Sequence, residues 1–290
     1  MSSAKTILIT GANGQVGSEF RVLSKKFPQY NFLLVAKDEL PIDDIDAVKK
    51  YFDQHSIQYC VNCAAYTAVD KAETETAKAF LINGDAVGNL AAVCKTKGAQ
   101  FIHISTDYVF DGTNTTPYLE SDPVKPIGVY GASKLKGEEL ALQNDPGTII
   151  IRTSWVYSSF GNNFVKTMLR LMKERESISV VNDQEGCPTY AADLANAIMQ
   201  IIQSPGTIHS VNRIFNYSNS GIINWHQFAV AIKELTDSKC IVNSIPSSQY
   251  PTPAKRPSYS VLNTAKIGET FAIAIPAWKD SLITCVALLK

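Results

Sequence analysis

No uninterrupted apolar run approaches the roughly 18 residues that a membrane-crossing helix needs. Neither sign of charge is in excess: 27 basic residues stand against 27 acidic ones, a formal net charge of zero. That balance excludes a surface that binds nucleic acid or anionic lipid by bulk charge, though a local basic pocket remains compatible with it. Histidine is scarce, with 4 residues and no cluster at metal-ligand spacing, so no metal centre is expected. The 6 cysteines lack the spacing of a disulfide framework. Cys60 and Cys63 form a C-x-x-C inside the apolar run 59–65, not at a loop opening a helix, and read as buried structural thiols. Met1–Thr10 leads straight into a strand-like segment with no cleavable apolar core, so a soluble cytoplasmic protein is expected.

What is present is an ordinary globular balance, 45% hydrophobic and 19% charged over 290 residues. In the first half, short apolar runs at 6–10, 31–36, 58–63, 100–105 and 148–152 alternate with helical patterns at 14–26, 45–55, 78–97 and 130–143. Continuously apolar strands separated by helices predict βαβ units and a parallel sheet covered on both faces. The expected class is therefore α/β, a doubly wound sheet with ligands outside the carboxyl ends of its strands. After Arg152 the rhythm loosens, with helices expected at 164–173, 191–203 and 224–235 and a strand at 178–181. Residues 1–153 plus about 178–203 are assigned to a dinucleotide-binding domain. A smaller interleaved lobe takes about 154–177 and 204–290.

Gly11-Ala-Asn13-Gly14-Gln-Val-Gly17 follows a strand and opens a helix. Glycine there permits a tight turn, close approach of backbone to pyrophosphate, and tight packing of helix on strand. The free N–H groups and the helix dipole then favour phosphate. At the end of the second strand, Lys37 suits a ribose 2′-phosphate and Asp38 a 2′-hydroxyl. Because Ala36 occupies the strand-end position, the reading leans to NADPH and leaves NADH open. Tyr130 and Lys134, four residues apart, share one helix face, a spacing suited to protonating a carbonyl as it is reduced. The ammonium is expected to lower the phenol's pKa and to hold the nicotinamide ribose. Thr106, at a strand's carboxyl end, is placed to hydrogen-bond the same oxygen, whereas His103 lies within that strand and reads as core.

These residues resemble the extended short-chain dehydrogenase/reductase family nearly end to end. The more specific stretches are Val61–Glu73, Ser105–Gly112, Val129–Lys134, Arg152–Tyr157, Gly161–Phe164 and Tyr250–Pro257. They resemble the branch that acts on dTDP-4-dehydro-β-L-rhamnose. The resemblance implies NADPH- or NADH-dependent reduction of its 4-keto group to dTDP-β-L-rhamnose, with Tyr130 giving the proton. It also implies that Gly14, Gln15 and Val16 contact pyrophosphate, that Ile42 borders adenine, and that Ala64, Ala65 and Thr67 lie beside the cofactor. Thr106, Asp107 and Trp155 would contact the sugar, and Arg256, held between prolines, its diphosphate.

Two departures from the family pattern stand out. Pro41 occupies the usual position of an acid before Ile42, which leaves Asp43 or Asp44 as a substitute. Some members also place magnesium at a dimer contact. Glu19 matches one such position but Ala192 replaces the other carboxylate, so no magnesium is expected. A homodimer is implied by resemblance alone. The rival readings are a reductase of another nucleotide-linked 4-keto sugar and a non-catalytic NADP-binding subunit resembling the regulatory subunit of methionine adenosyltransferase.

Overall fold

A computed structural model describes residues 4–204 and 213–290. In chain order the strands are β1 (Lys5–Thr10), β2 (Tyr30–Val35), β3 (Tyr59–Asn62), β4 (Gln100–Thr106), β5 (Ile149–Thr153), β6 (Val156–Tyr157), β7 (Ser177–Val181), β8 (Glu185–Gly186), β9 (Thr189–Tyr190), β10 (Ile214–Tyr217), β11 (Ile223–Asn224) and β12 (Ile241–Ile245). The α-helices are α1 (Gln15–Leu23), α2 (Ile45–Gln54), α3 (Val69–Ala72), α4 (Thr76–Phe80), α5 (Ala86–Lys97), α6 (Val129–Asn144), α7 (Phe164–Glu174), α8 (Ala191–Gln203), α9 (Trp225–Leu235), α10 (Ala265–Phe271) and α11 (Trp278–Ala287). Among the described residues no helix is long and apolar enough to cross a membrane.

Six strands pair in the order β2-β1-β3-β4-β5-β10, all parallel. Successive side chains of a strand point to opposite faces, so one apolar run feeds two cores. Ile7 and Ile9 of β1 join Phe20 of α1 and Leu194 and Ile198 of α8. Leu8 between them joins Val48 and Phe52 of α2 and Leu90 of α5. Because β2 and β3 flank β1 on opposite sides, the loops leaving the carboxyl ends of β1 and β3 diverge and open a crevice there.

The expected domain division is crossed twice. Strand 214–217, expected in the smaller lobe, extends the main sheet beside β5. Segment 178–181, expected with the dinucleotide-binding part, pairs as β7 with β12 beneath α9. Short exposed strands such as β12 carry no long apolar run, and for such segments pairing is decided by tertiary contact. The smaller lobe's core gathers Val165 and Met168 of α7, Phe228 and Ile232 of α9 and Leu282 of α11.

The single helix expected over 78–97 is broken by a wide turn at Leu81–Asp85. Buried Asn83 explains it. Its side chain accepts from the Tyr66 amide at 2.8 Å and donates to the Tyr66 carbonyl at 2.9 Å and to Ser133 Oγ at 3.0 Å. That staple joins the loop after β3 to α6, and the helix widens to present it.

Candidate active site

The glycine loop can be built only from glycine at two points. Gly11 has φ +64°, and a Cβ there would lie 2.7 Å from the Ala64 nitrogen; at Gly17 it would strike the Gly11 carbonyl. The loop therefore packs against the turn after β3, and α1 starts at Gln15 with Gly14 as N-cap and no side chain capping it. Its first turn opens onto a cleft of about 860 Å³. An uncapped helix start beside backbone too close for any side chain is a cradle for pyrophosphate, and a dinucleotide fits it.

Gly11, Asn13, Gly14, Gln15 and Val16 line this cleft, whereas Gly17 serves the packing beneath it. Lys37, Ile42, Ala64, Ala65 and Thr67 line it too. Of the acids beside the adenine end, Asp43 faces the cleft, while Asp44 caps α2 by accepting from the Ala47 amide at 3.0 Å. Glu39 is occupied by the Ala36 amide at 2.8 Å, and Asp38 is not part of the wall. Cys60 is buried as expected, but Cys63 is half-buried and forms part of the wall.

At the other end Thr106, Asp107, Tyr130, Lys134 and Trp155 meet. Thr106 Oγ1 lies 3.0 Å from Asp107 Oδ1 and accepts from the Tyr108 amide at 3.2 Å. Burial raises the Tyr130 phenol, opposed by the neighbouring Thr106 hydroxyl and reinforced by Asp107 and Tyr108. Lys134 is not among the charges acting on it, so the expected lowering of the phenol by the ammonium is corrected. The lysine is turned instead toward β4, its Nζ 2.7 Å from the Ile104 carbonyl and 3.1 Å from His103 Nε2. Trp155 takes φ 47°, a strained value for a bulky residue, and its ring stacks at 3.5 Å on Trp225, the first residue of α9. Sequence reasoning missed that brace because the partner is 70 positions away.

Arg256 does not line the cleft. It pairs with Asp70 at 2.9 Å and donates to the Tyr108 hydroxyl at 3.2 Å, clasping the proline-rich segment to α3 just behind the wall. Glu19 is buried and accepts from Ser158 Oγ at 2.6 Å. Among the described residues no group of His, Cys, Asp and Glu is arranged to hold a metal.

Asp107 is the strained group of the site. Burial raises its carboxyl to about 6, against the pull of the Ser260 and Thr106 hydroxyls, and its Oδ2 is buried without a partner. A raised carboxyl leaves stability complete below the ordinary aspartate range and removes it as pH climbs through about 6. Replacing Asp107 by Asn should therefore stabilise the fold at pH 7.5, by at most about 3 kcal/mol. Thermal melts at pH 7.5 and pH 4 check this: the gain should shrink at the lower pH, and a gain independent of pH would refute the cause.

The family model described as RmlD substrate binding domain matches residues 5–290. A dTDP-4-dehydrorhamnose reductase of Burkholderia thailandensis is 40% identical over 97% of both chains. The spore coat polysaccharide biosynthesis protein SpsK of Bacillus subtilis is 41% identical over 95% of both. Among solved structures, a dTDP-4-dehydrorhamnose reductase of Clostridium acetobutylicum superposes with TM-score 0.92 at 39% identity, covering 98% of this chain and 99% of that one. The Bacillus anthracis dTDP-4-dehydrorhamnose reductase in complex with NADP gives 0.91 at 36%, with the same coverage. The chain belongs to the family described as the RmlD substrate binding domain, together with these dTDP-4-dehydrorhamnose reductases.

Proposed function

We propose that this protein reduces the 4-keto group of dTDP-4-dehydro-β-L-rhamnose, with NADPH as reductant, to give dTDP-β-L-rhamnose. One observation carries the reading. The uncapped helix start of the glycine loop and the Thr106–Tyr130 pair open onto the same cleft, so a bound dinucleotide and a sugar carbonyl can meet there. The names of relatives about 40% identical over nearly the whole chain support the same reaction.

NADPH, when bound, supplies the hydride. Gly14, Gln15 and Val16 would contact its pyrophosphate with Gly11 and Asn13 beside them, Ala64, Ala65 and Thr67 would pass beside it, and Ile42 would border the adenine end. Tyr130 holds the proton: burial keeps the phenol protonated through the neutral range, so the donor form is fully populated. Thr106 lines the same end of the cleft, where its hydroxyl would hydrogen-bond the carbonyl oxygen beside the phenol. Asp107 and Trp155 grip the sugar, and the braced indole excludes water from one side. Arg256 serves the diphosphate by exchanging Asp70 for it. The proposal includes a homodimer acting in the cytoplasm.

The test supplies enzymatically generated dTDP-4-dehydrorhamnose, follows NADPH oxidation, and identifies the product sugar by NMR. A rhamnose product supports the reading, a different 6-deoxy sugar changes the substrate pose, and binding of NADPH with no oxidation refutes it. Lys37 sets a second test. Replaced by Ala, it should raise KM for NADPH about 10-fold, the loss of one charge-assisted phosphate contact, with little effect on NADH. Equal changes for both cofactors would take Lys37 away from the 2′-phosphate.

A further inference from the structure

Lys134 is 2% exposed, and its contact with His103 is the end of a buried chain of polar groups. His103 Nδ1 lies 3.1 Å from Asn62 Nδ2. Asn62 Oδ1 accepts from Thr10 Oγ1 at 2.6 Å and from the Ala64 amide at 3.2 Å. The far end sets the polarity of the whole chain. The Ala64 amide only donates, so the Asn62 atom it meets must be the carbonyl oxygen, and the remaining atom is an NH2 that also only donates. His103 Nδ1 must then accept, and a neutral imidazole carries its proton on Nε2. That N–H points at Lys134 Nζ, 3.1 Å away. An ammonium has no lone pair, so donor would face donor; an amine accepts there and still donates to the Ile104 carbonyl.

We infer that His103, oriented by Asn62, is a positioning residue that keeps Lys134 as an uncharged amine while Nζ rests on the imidazole. The surroundings agree. From the segment after β3 the lysine is faced by Cys63, whose thiol burial raises and keeps neutral. From its own helix it is faced by Glu138, one turn on, whose charge Arg152 shares at 2.7 Å; Tyr130, one turn back, is neutral. Burial lowers the lysine to about 8 against the charge of Glu138, so the amine resting on the imidazole prevails above about pH 8, and burial alone lowers His103 enough to keep the ring neutral. Lys134 becomes an ammonium only by leaving His103 and taking one proton from solvent. Above about pH 8, any ligand that draws Nζ into the cleft therefore brings a proton with it. The bearing of this step on turnover rests on the reductase reading; the protonation state itself does not.

The experiment is NMR of the cofactor-free protein labelled with 13C and 15N in lysine and histidine, with the Lys134 signal identified by its loss in Lys134→Arg. The Lys134 Cε resonance should titrate about two units or more below the other lysines. The His103 nitrogens should show Nε2 protonated and Nδ1 bare. Asn62→Asp places a carboxylate where Thr10, Ala64 and His103 can all donate to it. It should move the ring proton to Nδ1 and raise the lysine midpoint by at least one unit. A native Nδ1–H tautomer, a lysine midpoint level with the rest, or an unmoved tautomer in Asn62→Asp would overturn the inference. Should the variant not fold, the native tautomer and midpoint decide alone. None of these readouts depends on turnover, so they fail separately from the assay above.

Discussion

Replacing Tyr130 by Phe should lower kcat about 10³-fold and leave KM for both reactants within a few-fold, as expected when a general acid alone is removed. The ring keeps its edge contact with Tyr108, centroids 5.5 Å apart, so no cavity opens and the wall stays in place. Only the proton at the end of the phenol goes. Thr106 remains to hydrogen-bond the developing charge, which accounts for residual turnover. Steady-state kinetics with the nucleotide sugar, together with a fluorescence titration of NADPH, check this. A rate within a few-fold of native would remove Tyr130 as donor, whatever the other residues do.

Arg152→Ala should destabilise the fold by about 3–5 kcal/mol, because it strands a buried carboxylate. Glu138 is 2% exposed; Arg152 meets it through both Nη2 at 2.7 Å and Nε at 3.0 Å, and Ser105 Oγ, which donates to it at 2.5 Å, would be left as its side-chain partner. Arg152 also sits 5.1 Å over the Phe110 ring. The pair ties α6, which carries Tyr130 and Lys134, to β5, which leads to Trp155. At about 2 °C per kcal/mol for a chain of this size, Tm should fall by roughly 6–10 °C. Arg152→Met with Glu138→Leu should recover most of the loss, since a buried pair removed as a unit leaves no orphan charge. A fall of under 2 °C for Arg152→Ala would mean that water reaches Glu138 and screens it.

The legible parts of this protein are those written in local pattern. Apolar runs such as Thr6–Thr10 announce buried parallel strands because both faces of the strand are covered, and the helix over 191–203 shows its period directly. The glycine loop is readable because positive φ and forbidden Cβ positions leave few other residues possible at Gly11 and Gly17. Trp155 was found from its place after a strand, but its brace Trp225 carries no local mark. Arg256 was expected to face ligand and is found paired with Asp70, across 186 positions of chain.

Sequence by itself determined the doubly wound class, the phosphate cradle and the tyrosine and lysine on one helix face. Each follows from residues within a turn or two of one another. Only the tertiary structure decided the electrical state of that site. His103 looks like core from its neighbours in β4, yet it joins Asn62 of β3 to Lys134 of α6. The phenol and the lysine are shifted by burial more than by each other. Desolvation and hydrogen-bond polarity depend on what surrounds a group in three dimensions, and that is set by the packing of strands far apart in the chain.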